Sequence, residues 1–492
     1  MWLLNSFKGG YSDDKLAGLP DSFQESSAVE VRENPRSLTL ARAMEKNSES
    51  VVVDMVRAMA TIQSTGDIIG CDESGRIYRR AGGAGSWVEC WRITKTNKLI
   101  TDCFEYNDYF YIATQTYLHR IAVADIDNDW TTDIDEEWQA FTNGNINQHP
   151  FIEINNNMYV GDGNYLSEYS SSGVWTDNKI TIFGDEEIRA LTFSGGMMRI
   201  YARKLVPASG NGDTNYGRCY LWNGISGAYN EAIAWAGLPI HAAVNKDGTD
   251  FVIAGVRPSI YVTNGYERTL VKRLPNVSQG QSLEIHNNAI DIYNDLLVFG
   301  VGQSGTYDLS KGVYTYGALD KNYAPCLNFD YPPSQSSVSN IGCVHVSKGV
   351  LYASYKTSTP AYGIDVCNTA KYASSGYVIS RMFVGDLASL KKHIVDVMAA
   401  FATLAEGEAI DIHVRINGAA SWTSVANIAY SRTNEDGDYA DQNVNYREVT
   451  RAFSKSDFNM IEIKITLTAG TSQLTTPEFL ELATTFQYIR TQ

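Results

Sequence analysis

The side chains whose types and spacing best suit a metal ion lie between residues 125 and 136. Asp125, Asp127, Asp129, Asp133 and Glu136 take positions 1, 3, 5, 9 and 12 counted from Asp125, which match the oxygen-donor positions of a Ca²⁺ loop. That loop needs glycine at position 6 for its sharp turn, and Trp130 stands there. No helical pattern flanks the run, and Asp135 and Glu137 make the whole stretch acidic. A solvated acidic loop is the expected state, with Ca²⁺ binding as the sharper alternative. A second acidic patch, Glu435, Asp436 and Asp438 with Asp441, is expected to be the wet tip of a long loop.

Other chemistries find less to work with. The Asp-box pattern of sialidases, Ser-x-Asp-x-Gly-x-Thr-Trp, is absent, and Ser171-Ser172-Gly173-Val174-Trp175 echoes only part of it. His119, His149, His241, His286, His345, His393 and His413 are scattered, without the HxH or HExxH spacing of a metal site. No Gly-x-Ser-x-Gly marks a nucleophile elbow. The glycine-rich run 81–85 lacks the Lys-Ser/Thr of a phosphate loop and reads as a hairpin turn. Seven cysteines without a CxxC pair suggest reduced, mostly buried thiols made in a cytosol. Trp87, Trp175 and Trp222 could stack on sugars, but packing between sheets is the simpler expectation. The chain is therefore expected to be no enzyme and to need no cofactor.

The elements that would carry these residues follow a repeat. Seven apolar strand segments begin at residues 68, 109, 157, 198, 250, 296 and 350, stepping by 41, 48, 41, 52, 46 and 54. Each is followed by a turn and a second strand bearing Tyr or Ile. Several short strands per unit of roughly 40–50 residues are the mark of a β-propeller. One such unit is a small sheet that cannot bury both faces alone, and stacking consecutive blades around an axis solves that. No sharp consensus unites the repeats, and about seven blades are expected.

Composition agrees with an all-β chain. Of 492 residues, 30 are Tyr and 40 are Gly against 12 Pro, a mixture that favours pleated sheets joined by tight turns. The formal net charge is −16, which opposes a phosphate-gripping surface but suits a wall past which DNA must slide without sticking. No run reaches the roughly 18 apolar residues of a membrane span, so stable membrane insertion is not expected.

Three regions result. Residues 1–50 read as an extended N-terminal arm, broken by Gly9-Gly10, Gly18-Leu19-Pro20 and Asn34-Pro35. Such an arm is expected to cross the surface or a neighbouring subunit, because it cannot make a core of its own. Residues 51–385 form the β-propeller. Residues 386–492 form a C-terminal β-sandwich, since 410–416 and 461–467 alternate strictly and Asn417-Gly418 is a strong hairpin turn. The Ala-rich stretch within 391–405 has helix propensity, yet Ile394, Val395 and Val397 favour strand.

The two ends carry a resemblance. Phe7-Lys8-Gly9-Gly10, a later Leu-Pro, and Asn34-Pro35-Arg36-Ser37-Leu38 before the first blade resemble the start of tail nozzle and hub proteins of short-tailed bacteriophages. The terminal segment 410–416, Gly418, Ser421-Trp422, 461–467 and Thr475-Thr476-Pro477-Glu478-Phe479 looks like a sandwich found in many phage virion proteins. The matching motifs amount to about fifty residues. The resemblance implies a structural protein of the virion tail, made in the host cytoplasm. It would assemble as a ring of six identical subunits, with Phe7, Lys8, Gly9 and Gly10 in a subunit-contact arm. Its partners would be other tail proteins (adaptor, fibres, tail tip), and DNA only in transit through the lumen. The alternative is a tail-tip adhesin that recognises a host glycan or surface protein. A glycan hydrolase ranks third.

Overall fold

In the computed structural model, residues 2–489 are described except 13–20, 35, 48–50, 84, 96–97, 144–145, 205–215, 275–282, 304–310, 360, 385–389, 431–432, 435–436 and 439–445. The breaker Gly18-Leu19-Pro20, Pro35, and the acidic residues Glu435, Asp436 and Asp441 lie outside the described residues. Strands account for the regular structure, and no α-helix occurs among the described residues.

The seven sequence anchors are the second strands of seven antiparallel sheets. Ile68–Asp72, Tyr109–Thr114, Asn157–Asp162, Met197–Lys204, Thr249–Ala254, Leu296–Gln303 and Val350–Thr357 each sit one strand in from a blade's inner edge. They are the most apolar strands because they have a neighbour on both sides within the sheet and a blade against each face. Blades 1 to 6 follow in chain order from Val56–Thr61 to Cys326–Tyr331. Blade 7 is different. Its three strands Val338–Ser347, Val350–Thr357 and Tyr362–Tyr372 are completed by Arg42–Lys46 from the N-terminal region. That strand joins the end of the array to its beginning and covers an edge that would otherwise template aggregation.

The blades meet face to face, and each seam has its own apolar filling. Ile69 and Cys71 pack with Phe110 and Ile112 between blades 1 and 2. Val56, Ile68 and Trp87 pack with Tyr352 and Ile364 between blades 7 and 1, which closes the ring. Five further clusters fill the other seams. Each fully buried Ile, Leu or Phe contributes roughly 1.5–3 kcal/mol by leaving water, so the seams are where the ring gains its cohesion. All seven cysteines are buried and free of disulfides; they sit in these seams as small apolar fillers, as the spacing suggested.

The C-terminal sandwich packs a four-stranded sheet on a six-stranded one. Ile410, Ile412 and Val414 point inward, as do Ile461, Ile463, Ile465 and Leu467, so burial follows the alternation read from the sequence except at Glu462, which is buried with its carboxylate on Arg415. Asn417 and Gly418 both take positive φ, 51° and 68°, in a tight turn closed by the Ala419 amide on the Ile416 carbonyl, although pairing of the two strands it joins stops at Val414 and Thr423. The Ala-rich segment is strand, Lys392–Ala402, with Ala399 and Phe401 buried at the centre of its sheet. Tertiary pairing outweighs its weak helical preference.

The N-terminal arm departs from expectation. It makes no separate excursion: Trp2–Leu4 pairs with Phe479–Tyr488, Gly10–Tyr11 runs parallel to Ser22–Ser27, and Ser22–Ser27 pairs with Ser375–Ser380. The described strands among residues 1–50 are thus shared by the sandwich, a two-stranded ribbon of Val29–Glu30 with Thr39–Leu40, and blade 7. The sandwich also begins earlier than residue 386, because Ser375–Ser380 lies in its six-stranded sheet. An extended strand cannot form a core, but it can complete two others.

Candidate functional site

Where the arm crosses from sandwich to propeller it is held by buried polar chemistry. Arg32 is buried in blade 6 with all its guanidinium nitrogens engaged. Nη1 donates to Asp330 Oδ2 at 2.7 Å, Nη2 to Thr315 Oγ1 at 2.7 Å and to the Thr315 and Cys326 carbonyls at 3.2 Å, and Nε to the Gly317 carbonyl at 3.3 Å. A fork with five fixed donors suits such a site better than a lysine. Burial, followed by the Asp330 carboxylate, raises Glu30 nearby to about 7.

Of the four residues assigned to subunit contact, Phe7 is buried in this chain's own core, edge-on to Phe479 with centroids 6.3 Å apart. Gly10 is buried as well, at φ 60°, and a Cβ there would lie 2.6 Å from the Leu327 carbonyl of blade 6. Gly9 is half-buried, and Lys8 is exposed. The assignment of Phe7 and Gly10 to a neighbouring subunit is therefore corrected, because both are spent inside their own chain. Only Lys8 faces outward.

The acidic residues proposed for Ca²⁺ do not converge. Asp125, Asp127, Asp129 and Asp133 are exposed, and Glu136 is drawn away to Thr94. Asp127 accepts from the Asp129 amide and Asp129 from the Thr131 amide, so the carboxylates cap the loop's own backbone. Trp130, at the position that needed glycine, is fully buried with its Nε1–H on the Asp127 carbonyl at 2.9 Å. No group of three or more metal-ligating side chains is found among the described residues. Trp87 and Trp222 fill blade seams as expected, and Trp175 is half-buried against Trp138 at 5.7 Å.

A different constellation is assembled at the propeller axis. The first strand of a blade lies innermost, and in five blades its pairing to the second strand slips near its start. One residue is left over between Val56 and Ala58, Ile100 and Asp102, Ile188 and Ala190, Ile240 and Ala242, and Val338 and Asn340. These are β-bulges, which re-aim a side chain at the cost of one ladder position. The residues they release are Arg57, Thr101, Arg189, His241 and Ser339. Three of them sit in one recurring tripeptide, Val56-Arg57-Ala58, Ile188-Arg189-Ala190 and Ile240-His241-Ala242. That repeat, a β-branched residue, a base and alanine, was the available signal in the sequence, and scanning for metal or nucleophile motifs passes over it.

The bulged bases act on one another across the ring. Arg189 Nη1 and Arg203 Nη2 both donate to Glu187 Oε1, at 2.9 and 3.0 Å, while Arg57 pairs with Glu73 at 2.9 Å. Burial, then repulsion from Arg203, lowers Arg189 to about 9. Burial holds His286 well below its ordinary value, and Arg57, Arg189 and Arg203 push it further down. Blades 1 and 4 stand on opposite sides of the axis, and the arginines of both act electrostatically on His286. His241, lowered to about 4 chiefly by burial, is neutral with Nε2 on the Gly255 carbonyl at 3.0 Å. Asn288 of blade 6 bridges the axis outright: its Nδ2 donates to the Arg57 and Thr101 carbonyls and to Asp102 Oδ1 at 3.0–3.2 Å. Burial raises Asp102 to about 7.

No family model and no curated protein matches the chain. Solved structures with a similar course are Raptor of Chaetomium thermophilum (12% identity, TM-score 0.48, 68% of this chain and 29% of that one) and the extracellular domain of a hybrid two-component system of B. thetaiotaomicron (10%, 0.44, 80% and 48%). A third is the β-propeller domain of Cps50 (Swd1) from Myceliophteria thermophila (8%, 0.45, 65% and 99%). The chain spans less than half the length of the first two. At such identities the likeness carries no functional assignment. The fold is an all-β propeller with a β-sandwich.

Proposed function

We propose that this chain is a non-enzymatic structural component of a bacteriophage tail, assembling as a ring of six copies at the tail's lower end. The reading rests first on the resemblance of the two ends to nozzle and hub proteins. The observation that supports assembly is an exposed apolar rim. Val174, Ile225 and Tyr266 are 56%, 86% and 55% exposed. They occupy the equivalent turns between third and fourth strands of blades 3, 4 and 5. Repeat symmetry puts those turns on one face of adjacent blades. Large apolar side chains grouped on one face mark an interaction surface, and a closed ring needs such a heterologous contact.

In this reading DNA passes through the hole between subunits, not along the propeller axis, which Asn288 crosses. The net charge of −16 keeps that wall from holding phosphates. The arm ties sandwich to propeller within each subunit, so a pull on one body is transmitted to the other.

Single-particle images and native mass measurement of the full chain test the proposal. Closed rings at six times the 54.4 kDa subunit mass are the expected result. Monomers at every concentration, together with direct binding to host cells, would instead favour the adhesin.

A further inference from the structure

We propose that the bulged ring at the propeller axis is a binding site for a small tetrahedral oxyanion of the phosphate class, held by Arg57, Arg189 and Arg203.

Two guanidinium groups, Arg189 and Arg203, meet on Glu187, and Arg57, paired with Glu73, is released to the axis by the bulge of blade 1, where its carbonyl accepts from Asn288. Both Arg189 and Arg203 lean on the same Glu187 oxygen, so one anion is shared between two cations. Arg189 is 4% exposed, and its Nε has no hydrogen-bond partner among the described residues. A buried guanidinium donor without an acceptor costs free energy unless something else supplies one. Burial first, and then the neighbouring positive charge, weakens the charged forms of Arg189 and His286, as described above.

The chemistry selects the ligand. A planar carboxylate fills one arginine fork, whereas donors arriving from blade 1 and from blade 4 call for an anion with oxygens on several sides. Access exists: Arg57, Arg203, His241 and Asn340 keep part of their surface in contact with solvent. Asn340 Nδ2 donates to His286 Nε2 at 3.2 Å, so that ring nitrogen is an acceptor and the imidazole is neutral on the blade 7 side. Glu187 is the competing anion, and a bound oxyanion would have to share Arg189 and Arg203 with it. The bulges fit this purpose. A regular ladder would turn Arg57 and Arg189 into the blade seams, and the slipped residue brings them to the axis instead.

Calorimetric titration of the full chain with inorganic phosphate at low ionic strength is the test, with chloride at equal ionic strength and acetate as comparisons. Saturable phosphate binding, at least tenfold weaker in Arg203→Gln and in Arg57→Gln, is expected. Arg203 and Arg57 are only part-buried, so these variants should fold, and their melting curves in phosphate-free buffer verify that. If either fails to fold, the other variant and the wild-type titration decide. Absence of saturable phosphate binding, wild-type affinity in both variants, or acetate binding as tight as phosphate would overturn the assignment.

Discussion

Arg32 shows what a single side chain does in this molecule. Each of its three guanidinium nitrogens finds an acceptor inside blade 6, so removing it strands Asp330 as a buried carboxylate without its cation. Breaking one partner of a buried pair costs about 3–5 kcal/mol, whereas replacing both with apolar groups costs far less. Arg32→Ala is expected to lower stability by about that amount in chemical denaturation, and Arg32→Met with Asp330→Leu to recover most of the loss. Asp102 belongs to the same scale. Its folded pKa of about 7 lies above the ordinary 3.8, so the folded state binds the proton more tightly. The resulting stabilisation is full below the unfolded value and disappears as pH rises through about 7. His241 and His345, both lowered to about 4 by burial, work in the opposite sense, since their contribution is full above 6.5 and is lost as pH falls towards 4. Asp102→Asn should therefore remove the decline in melting temperature that this group imposes between about pH 4 and pH 7, while leaving the histidine-driven acid limb in place.

At the scale of elements, the decisive strand is Arg42–Lys46. It makes the fourth strand of blade 7 through pairs from Asp365↔Lys46 to Tyr372↔Arg42, with Met44 and Cys367 in the seam to blade 6. Without it the last blade has an open edge. The first three N-terminal strands would be missing from the sandwich in the same truncation. A chain lacking residues 1–46 is expected to lose its single cooperative melting transition and to aggregate, which scanning calorimetry and light scattering would reveal. A soluble truncated protein with an unchanged transition would mean that the arm is an accessory. The bulges act at this scale too: five inner strands each give up a ladder position, and the residues released are three bases and two hydroxyls in place of aliphatic side chains.

For the whole molecule, the exposed rim of blades 3 to 5 and the interlaced arm set the expectations. Ile225→Asp together with Val174→Asp should leave the fold intact, since both side chains stand in solvent, yet should dissociate the proposed rings into subunits. Sedimentation velocity distinguishes the two forms. Rings that survive the double substitution would move the subunit contact elsewhere, with exposed Lys8 on the arm as the next surface to alter.

The periodic placement of apolar strands was legible along the chain, because seven second strands are buried on both faces and so must be apolar whatever lies beside them. The sandwich alternation and the Asn417-Gly418 turn were legible for the same local reason: a pleat of period two and a turn that demands positive φ leave their marks on neighbouring residues. Tertiary structure alone decided what the arm does, since Arg42–Lys46 and Trp2–Leu4 pair with strands more than 300 residues away. It also decided that Asp127, Asp129 and Glu136 hold separate backbone amides instead of converging. The axial ring was hidden for a related reason. Arg57, Arg189 and His241 are separated by whole blades in sequence, and only closure of the propeller brings them to one axis.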